Sequence, residues 1–235
     1  MSTIISAGVD LGSSGKTAFH VVVGQNFRLK TVYQHSIVSV RPQQVEEEIQ
    51  AIYTQFNPDV FLMESNGPGA IFLSYVHEHL SHIPIVGVDT SSSPPEEGIF
   101  VWDDMMMNNK THLNMRAIMY WIVHLLLRDQ RLSLLREDAE LFVQLTSTYW
   151  EFDKTRGDKL KITPKRNLRI TGSEFEGLDF SKSPDKADAC ALSCLGYTLL
   201  AQEDILTQRN PVKQEEEVIE PEFDGFFEIG KLLEF

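Results

Sequence analysis

Hydrophobic and polar positions divide the chain into short, clearly bounded segments. Residues 4–11, Ile-Ile-Ser-Ala-Gly-Val-Asp-Leu, form an apolar run that reads as a buried strand closing on Asp10. Gly12-Ser13-Ser14-Gly15 is a turn. Ala18 to Val23 is rich in β-branched and aromatic residues and reads as a second strand. Gly24-Gln25-Asn26 turns the chain again, and residues 28–36 alternate loosely as a third strand. The pattern predicts a three-strand meander with an acid at the end of its first strand.

The period then changes from two to 3.6. Val45, Ile49, Ile52, Tyr53 and Phe56 form an apolar stripe among glutamates, which predicts a helix over 43–56 ended by Pro58. Residues 59–64 are a short apolar run ending in Glu64, a central strand. Gly67-Pro68-Gly69 is a turn, residues 70–79 a helix and residues 83–88 a further strand. Residues 89–108, with three serines, two prolines and the run Met105-Met106-Met107, read as a long loop. Helices are predicted over 109–128 and 137–145. Strands over 147–153 and 159–163 are joined by a turn at Arg156-Gly157-Asp158. A basic segment with Lys161, Lys165, Arg166 and Arg169 follows. The last predicted helix starts at Ser183-Pro184-Asp185-Lys186-Ala187-Asp188-Ala189 and runs through an apolar stretch from Cys190 to Leu200. Ser183 suits the N-cap, Pro184 the first helical position, and acids suit the positive end of the dipole. Capping explains Asp185. It does not explain Asp188, which lies three residues on and shares its face.

Composition narrows the classes. With 235 residues and 42% hydrophobic positions, the chain can build one domain with a core. No apolar run approaches the roughly 18 residues of a membrane span, and no basic segment precedes the first apolar residues as a signal peptide requires. The expected organisation is a domain over 1–202 and an acidic, flexible tail over 203–235, either largely disordered or docked on a partner through Phe226, Phe227, Leu232 and Leu233. Net charge is −13, and the tail holds ten acids against three bases. An acidic body weighs against a nucleic-acid partner, unless its acids form a cluster whose charge bound metal cancels. Cys190 and Cys194, spaced i, i+4, read as buried apolar residues of a reducing compartment.

Four clusters invite chemistry. Gly12-Ser13-Ser14-Gly15-Lys16-Thr17 looks like the end of a phosphate-binding loop, but Asp10 stands where the pattern needs glycine. Such a loop must also open a helix, and here a strand follows. His77, His79 and His82 lack the i, i+4 spacing of helical zinc ligands and read as surface residues. The methionine run reads as loop packing. The acids are the stronger case. Asp10 and Glu64 end two strands, and strand ends form the ligand crevice of open α/β sheets. If those strands are neighbours, a helix crossing the sheet could add Asp188 and Asp185. Hard oxygen donors suit Mg²⁺ or Mn²⁺, and two such ions about 4 Å apart can clamp a phosphodiester.

Several segments then resemble a known family. Gly8-Val9-Asp10-Leu11-Gly12 is similar to its first-strand acid motif, and Phe61 to Gly69 to its second. Residues 108–121 with 141–149 look like its helix and the segment after it. Lys161-Ile162-Thr163-Pro164-Lys165 and Ser183 to Ala189 resemble its final hairpin and last acid motif. The family is the nuclease domain of the large terminase subunit of tailed bacteriophages and herpesviruses, within the RNase H-like superfamily. The resemblance implies an RNase H-like mixed sheet, an antiparallel meander plus parallel strands, flanked by helices and carrying an added β-hairpin. It implies a metal-dependent endonuclease that cuts double-stranded DNA concatemers during genome packaging. Asp10, Glu64 and Asp188 would hold Mg²⁺ or Mn²⁺ as two ions, and Asp185 would be a fourth ligand or orient water. Lys161, Lys165, Arg166 and Arg169 would reach DNA phosphates. Partners would be a packaging ATPase domain, a portal and a small terminase subunit, with no membrane, in the infected host's cytoplasm, or its nucleus for a herpesvirus. Large terminases carry an N-terminal ATPase, so the chain is expected to be an excised nuclease domain with an added start methionine, the alternative being an ATPase on a separate chain. The rival readings are a RuvC-type junction resolvase, half of an actin-like sugar kinase or ATPase, and a non-catalytic packaging module.

Overall fold

The structure is a computed structural model describing residues 2–12, 16–38, 41–162 and 184–209. In chain order it contains β1 (Ile4–Leu11), β2 (Lys16–Gln25), β3 (Arg28–Val38), α1 (Pro42–Phe56), β4 (Val60–Glu64), α2 (Pro68–His79), β5 (Ile85–Val88), a hairpin of β6 (Phe100–Trp102) and β7 (Met105–Met107), α3 (Met115–Arg128), β8 (Leu132–Ser133), α4 (Ala139–Thr146), a second hairpin of β9 (Trp150–Asp153) and β10 (Lys159–Ile162), and α5 (Asp185–Arg209). The main sheet has the order β5-β4-β1-β2-β3-β8. β1, β2 and β3 form the antiparallel meander, while β4 and β5 continue the sheet parallel to β1.

Strand periodicity sorts the core into two layers. Ala7, Val9, Phe19, Val21, Phe61 and Met63 pack against Val45, Ile49 and Ile52 of α1 and Phe72 and Val76 of α2. The alternate positions Ile4, Val22, Val60 and Leu62 pack against α3 and α5, through Ile118, Leu126, Leu192 and Leu195 among others. The described side chains of α5 are buried almost all round from Asp185 to Ala201, as befits a helix enclosed by sheet and helices. No helix among the described residues is long and apolar enough to cross a membrane.

Several boundaries differ from the sequence reading. The tight turn after β2 is Asn26-Phe27, both at positive φ (52° and 56°), the conformation of a two-residue hairpin turn. Phe27 is held there by its N–H donating to the Tyr197 hydroxyl at 3.0 Å and by ring contacts with Phe100, Trp102 and Tyr197. Gly24 lies in the strand, and a Cβ there would meet the Tyr197 ring at 2.5 Å. Residues 89–108 are not all loop. Asp103 and Asp104, at φ 49° and 62°, make the turn of β6–β7, and Met107 is buried while Met105 and Met106 are exposed. α3 starts at Met115 instead of residue 109, because the side chain of Asn114 caps it by accepting the Ala117 N–H at 3.0 Å. α1 ends on left-handed Asn57, one residue before Pro58. The short strand β8 carries no periodic signal of its own; it is defined by pairing with β3. α5 continues to Arg209, past the expected limit at residue 202, and the four apolar residues expected to dock lie outside the described residues. Cys190 and Cys194 are buried and unbridged.

Candidate active site

The pairing of β1 with β4 decides where two of the acids stand. These parallel neighbours match Gly8 with Leu62 and Val9 with Met63, so the next positions along both strands are Asp10 and Glu64. Neighbouring strands lie about 4.8 Å apart. Alternation puts both residues on the face of Val60 and Leu62, the face covered by α5. Asp10 is fully buried and Glu64 half-buried.

α5 brings the other two acids to the same end of the sheet. Its first hydrogen bond runs from the Asp188 N–H to the Pro184 carbonyl at 2.9 Å. Asp185 and Asp188 are both buried. The carboxylate of Asp185 lies against Gly12, where a Cβ would come within 2.6 Å of its Cγ. Glycine at position 12 therefore leaves room for this carboxylate two residues beyond Asp10. Oδ1 of Asp188 accepts from the Tyr120 hydroxyl at 2.8 Å and from Nε of Arg116 at 3.2 Å. Burial alone would lower the pKa of the Arg116 guanidinium, but Asp188 and Tyr120 outweigh it and hold it above its ordinary value. Burial, reinforced by Asp188, holds the Tyr120 hydroxyl well above its ordinary range.

α4 grips the residues between the two acids. Oε1 of Gln144 accepts the Ala187 N–H at 3.0 Å, serving one of the donors a helix start leaves unpaired. Nζ of Lys186 pairs with Asp138 at 2.9 Å and with Glu140 at 3.0 Å. Glu140 also accepts from Lys16 at 2.5 Å. Lys16 thus opens β2 and reaches an acid of α4, so Gly12 to Thr17 does not open the helix that a phosphate-binding loop requires.

Glu64 is held from the end of β5. The Thr90 hydroxyl donates to its Oε1 at 2.6 Å, and Nδ2 of Asn66 donates to Thr90 Oγ1 at 2.9 Å. The carbonyl of Thr90 accepts the Arg116 N–H at 2.9 Å. The sequence reading missed Thr90, Asn66, Arg116, Tyr120 and Gln144. None carried a usable signal: with the helix expected from residue 109, Arg116 reads as an interior residue, and only the observed start at Met115 puts its charge in the first turn, where it opposes the dipole and calls for a partner.

The donor set suits a hard divalent cation, since all four groups are carboxylates. Buried carboxylates need compensating charge, and Arg116 offsets part of it. Among the described residues, no three His, Cys, Asp or Glu side chains stand close enough together to hold one ion. Elsewhere, His77, His79 and His82 are exposed; His77 Nε2 lies 2.9 Å from the Ile85 carbonyl and His79 Nδ1 lies 2.8 Å from that of Tyr75. Lys161 sits on the second hairpin and pairs with Glu151 at 3.3 Å and Asp153 at 3.7 Å. Ser183, Lys165, Arg166 and Arg169 lie outside the described residues.

A mixed sheet with an antiparallel meander, parallel neighbours beside it and a buried helix opening on two acids across one face has the layout of an RNase H-like fold. A comparison with family models finds none that matches the sequence, and a comparison with curated proteins finds no match. Solved structures do match. The nuclease domain of the large terminase subunit gp2 of bacterial virus Sf6 aligns with a TM-score of 0.60 and 19% identity, over 82% of this chain and 87% of that one. A mutant form of that domain with manganese gives 0.59 and 17%, over 82% and 88%. The large terminase nuclease from thermophilic phage G20c with bound magnesium gives 0.54 and 11%, over 82% and 81%.

Proposed function

We propose that the protein is a metal-dependent endonuclease that cuts double-stranded DNA during viral genome packaging. The observation that carries this reading is the placement of Asp10 and Glu64 at matched ends of adjacent parallel strands, on the face crossed by the helix bearing Asp185 and Asp188. Likeness in fold to terminase nucleases, one solved with bound magnesium, supports it.

Asp10, Glu64 and Asp188 would bind two Mg²⁺ or Mn²⁺ ions, with Asp185 as a fourth ligand or orienting water. When bound, such ions stabilise charge on the attacking and leaving oxygens of a phosphodiester. The chain supplies the rest. Pairing of β1 with β4 fixes the backbone positions of Asp10 and Glu64, which limits how far their carboxylates must move as ligands arrive. Arg116 and Tyr120 restrain rotation of the Asp188 carboxylate. Gln144 and Lys186 hold the first turn of α5 against α4, so Asp185 and Asp188 move with the body of the domain. Lys161, Lys165, Arg166 and Arg169 would contact phosphates, which positions DNA without selecting sequence. Partners would be a packaging ATPase domain, a portal and a small terminase subunit, inside the infected host cell.

Plasmid digestion tests this reading. Supercoiled DNA should be converted to relaxed and linear forms with Mn²⁺ or Mg²⁺ and left intact with EDTA. Intact DNA under every metal condition, from protein shown to be folded, contradicts it.

A further inference from the structure

Thr90 is buried, 6% exposed, just beyond the end of β5, and it belongs to none of the acid motifs. Its hydroxyl has one proton, and the neighbours fix where that proton points. The Glu64 carboxylate can only accept, so the Thr90 hydroxyl donates to it, at 2.6 Å. That separation is in the range of a hydroxyl donating to a charged oxygen. Asn66 must then present its amide nitrogen to Thr90 Oγ1, as the 2.9 Å contact has it. The result is a directed relay, Asn66 to Thr90 to Glu64. The same residue acts a second time through its backbone. Its carbonyl accepts the N–H of Arg116, whose guanidinium holds Asp188. One buried threonine therefore restrains the strand acid directly and the helix acid through Arg116.

We propose that Thr90 is the positioning residue of the metal site, fixing the carboxylate of Glu64 and anchoring the residue that fixes Asp188. This inference rests on the nuclease reading. Ligating carboxylates depend on such outer partners, whose loss typically costs 10–100-fold in metal affinity or activity.

The test is Mn²⁺ binding by isothermal titration calorimetry, with folding checked by circular dichroism. Thr90→Val keeps the shape and removes the hydroxyl; it should weaken Mn²⁺ binding at least tenfold. Thr90→Ser keeps the hydroxyl and should stay within about threefold of wild type on the same scale. In a Glu64→Gln background, Thr90→Val should add little, because the two act through one group. If Thr90→Val does not fold, Asn66→Ala decides the matter: it frees the hydroxyl to rotate and should weaken Mn²⁺ binding several-fold. Wild-type binding in a folded Thr90→Val protein, or in Asn66→Ala when the valine variant does not fold, overturns the inference and leaves the nuclease reading standing. If wild type itself binds no Mn²⁺, both are overturned.

Discussion

Gly8 of β1 lies directly beneath Ala189 of α5. A Cβ at position 8 would collide with the Ala189 carbonyl oxygen and come within 2.6 Å of the Ser193 nitrogen. Both obstacles are backbone, so no side chain can swing aside. Gly8 is two residues before Asp10, and Ala189 directly follows Asp188. This close approach therefore sets the distance between a strand acid and a helix acid. Gly8→Ala should lower stability by roughly 1–3 kcal/mol or more and reduce cleavage beyond what the loss of folded protein explains. Chemical denaturation paired with cleavage rates normalised to folded protein would check it; unchanged activity would show that helix placement is not critical.

The grip of α4 on the acidic turn yields a second expectation. Gln144 is buried, and its side-chain oxygen accepts the Ala187 N–H. Gln144→Ala leaves that donor buried without its acceptor and should cost about 1–3 kcal/mol. Hydrogen exchange should speed up first at residues 187–189. A variant as stable and as protected as wild type would mean that α4 does not hold the turn.

A third expectation concerns pH. His20 is buried between β2 and α5, with Nδ1 2.7 Å from Ser193 Oγ and Nε2 3.1 Å from Thr31 Oγ1. Ser193 donates its own proton to the Cys190 carbonyl at 2.8 Å, so Nδ1 carries the imidazole proton and donates. Burial pushes the imidazole pKa down to about 3 from 6.5, against an opposing pull from Asp138. Below pH 6.5 the unfolded chain takes up a proton that the folded chain refuses. The stability this neutral histidine permits is therefore complete above pH 6.5 and is lost as pH falls towards 3, at up to about 1.4 kcal/mol per pH unit. His20→Gln should show a shallower fall in unfolding free energy between pH 6 and 4. Parallel curves for the two proteins would contradict the assignment.

The legible parts of the fold were those with local period. Ile4–Leu11, the stripe of Val45, Ile49 and Ile52, and Val60–Glu64 are found close to where the pattern puts them. Asp10 and Glu64 were visible as acids closing apolar runs, and Asp188 as an acid beyond what capping requires. Their adjacency was not visible, because the β1–β4 pairing joins segments some fifty residues apart and leaves no local trace. The β6–β7 turn was missed because Asp103-Asp104 takes the left-handed conformation without glycine. Thr90 and Gln144 were invisible for a different reason: their roles lie in single long-range hydrogen bonds, and a lone threonine or glutamine in sequence predicts neither.

Cleavage is proposed to depend on Asp10, Glu64 and Asp188 as ligands of the divalent metal. The most direct measurement is Mn²⁺-dependent plasmid cleavage by Asp10→Ala, Glu64→Ala and Asp188→Ala beside wild type, each matched for folding by circular dichroism. The prediction is cleavage by wild type, abolished by EDTA, and none by any of the three variants while all remain folded. Normal cleavage by a folded Asp188→Ala protein would contradict the claim.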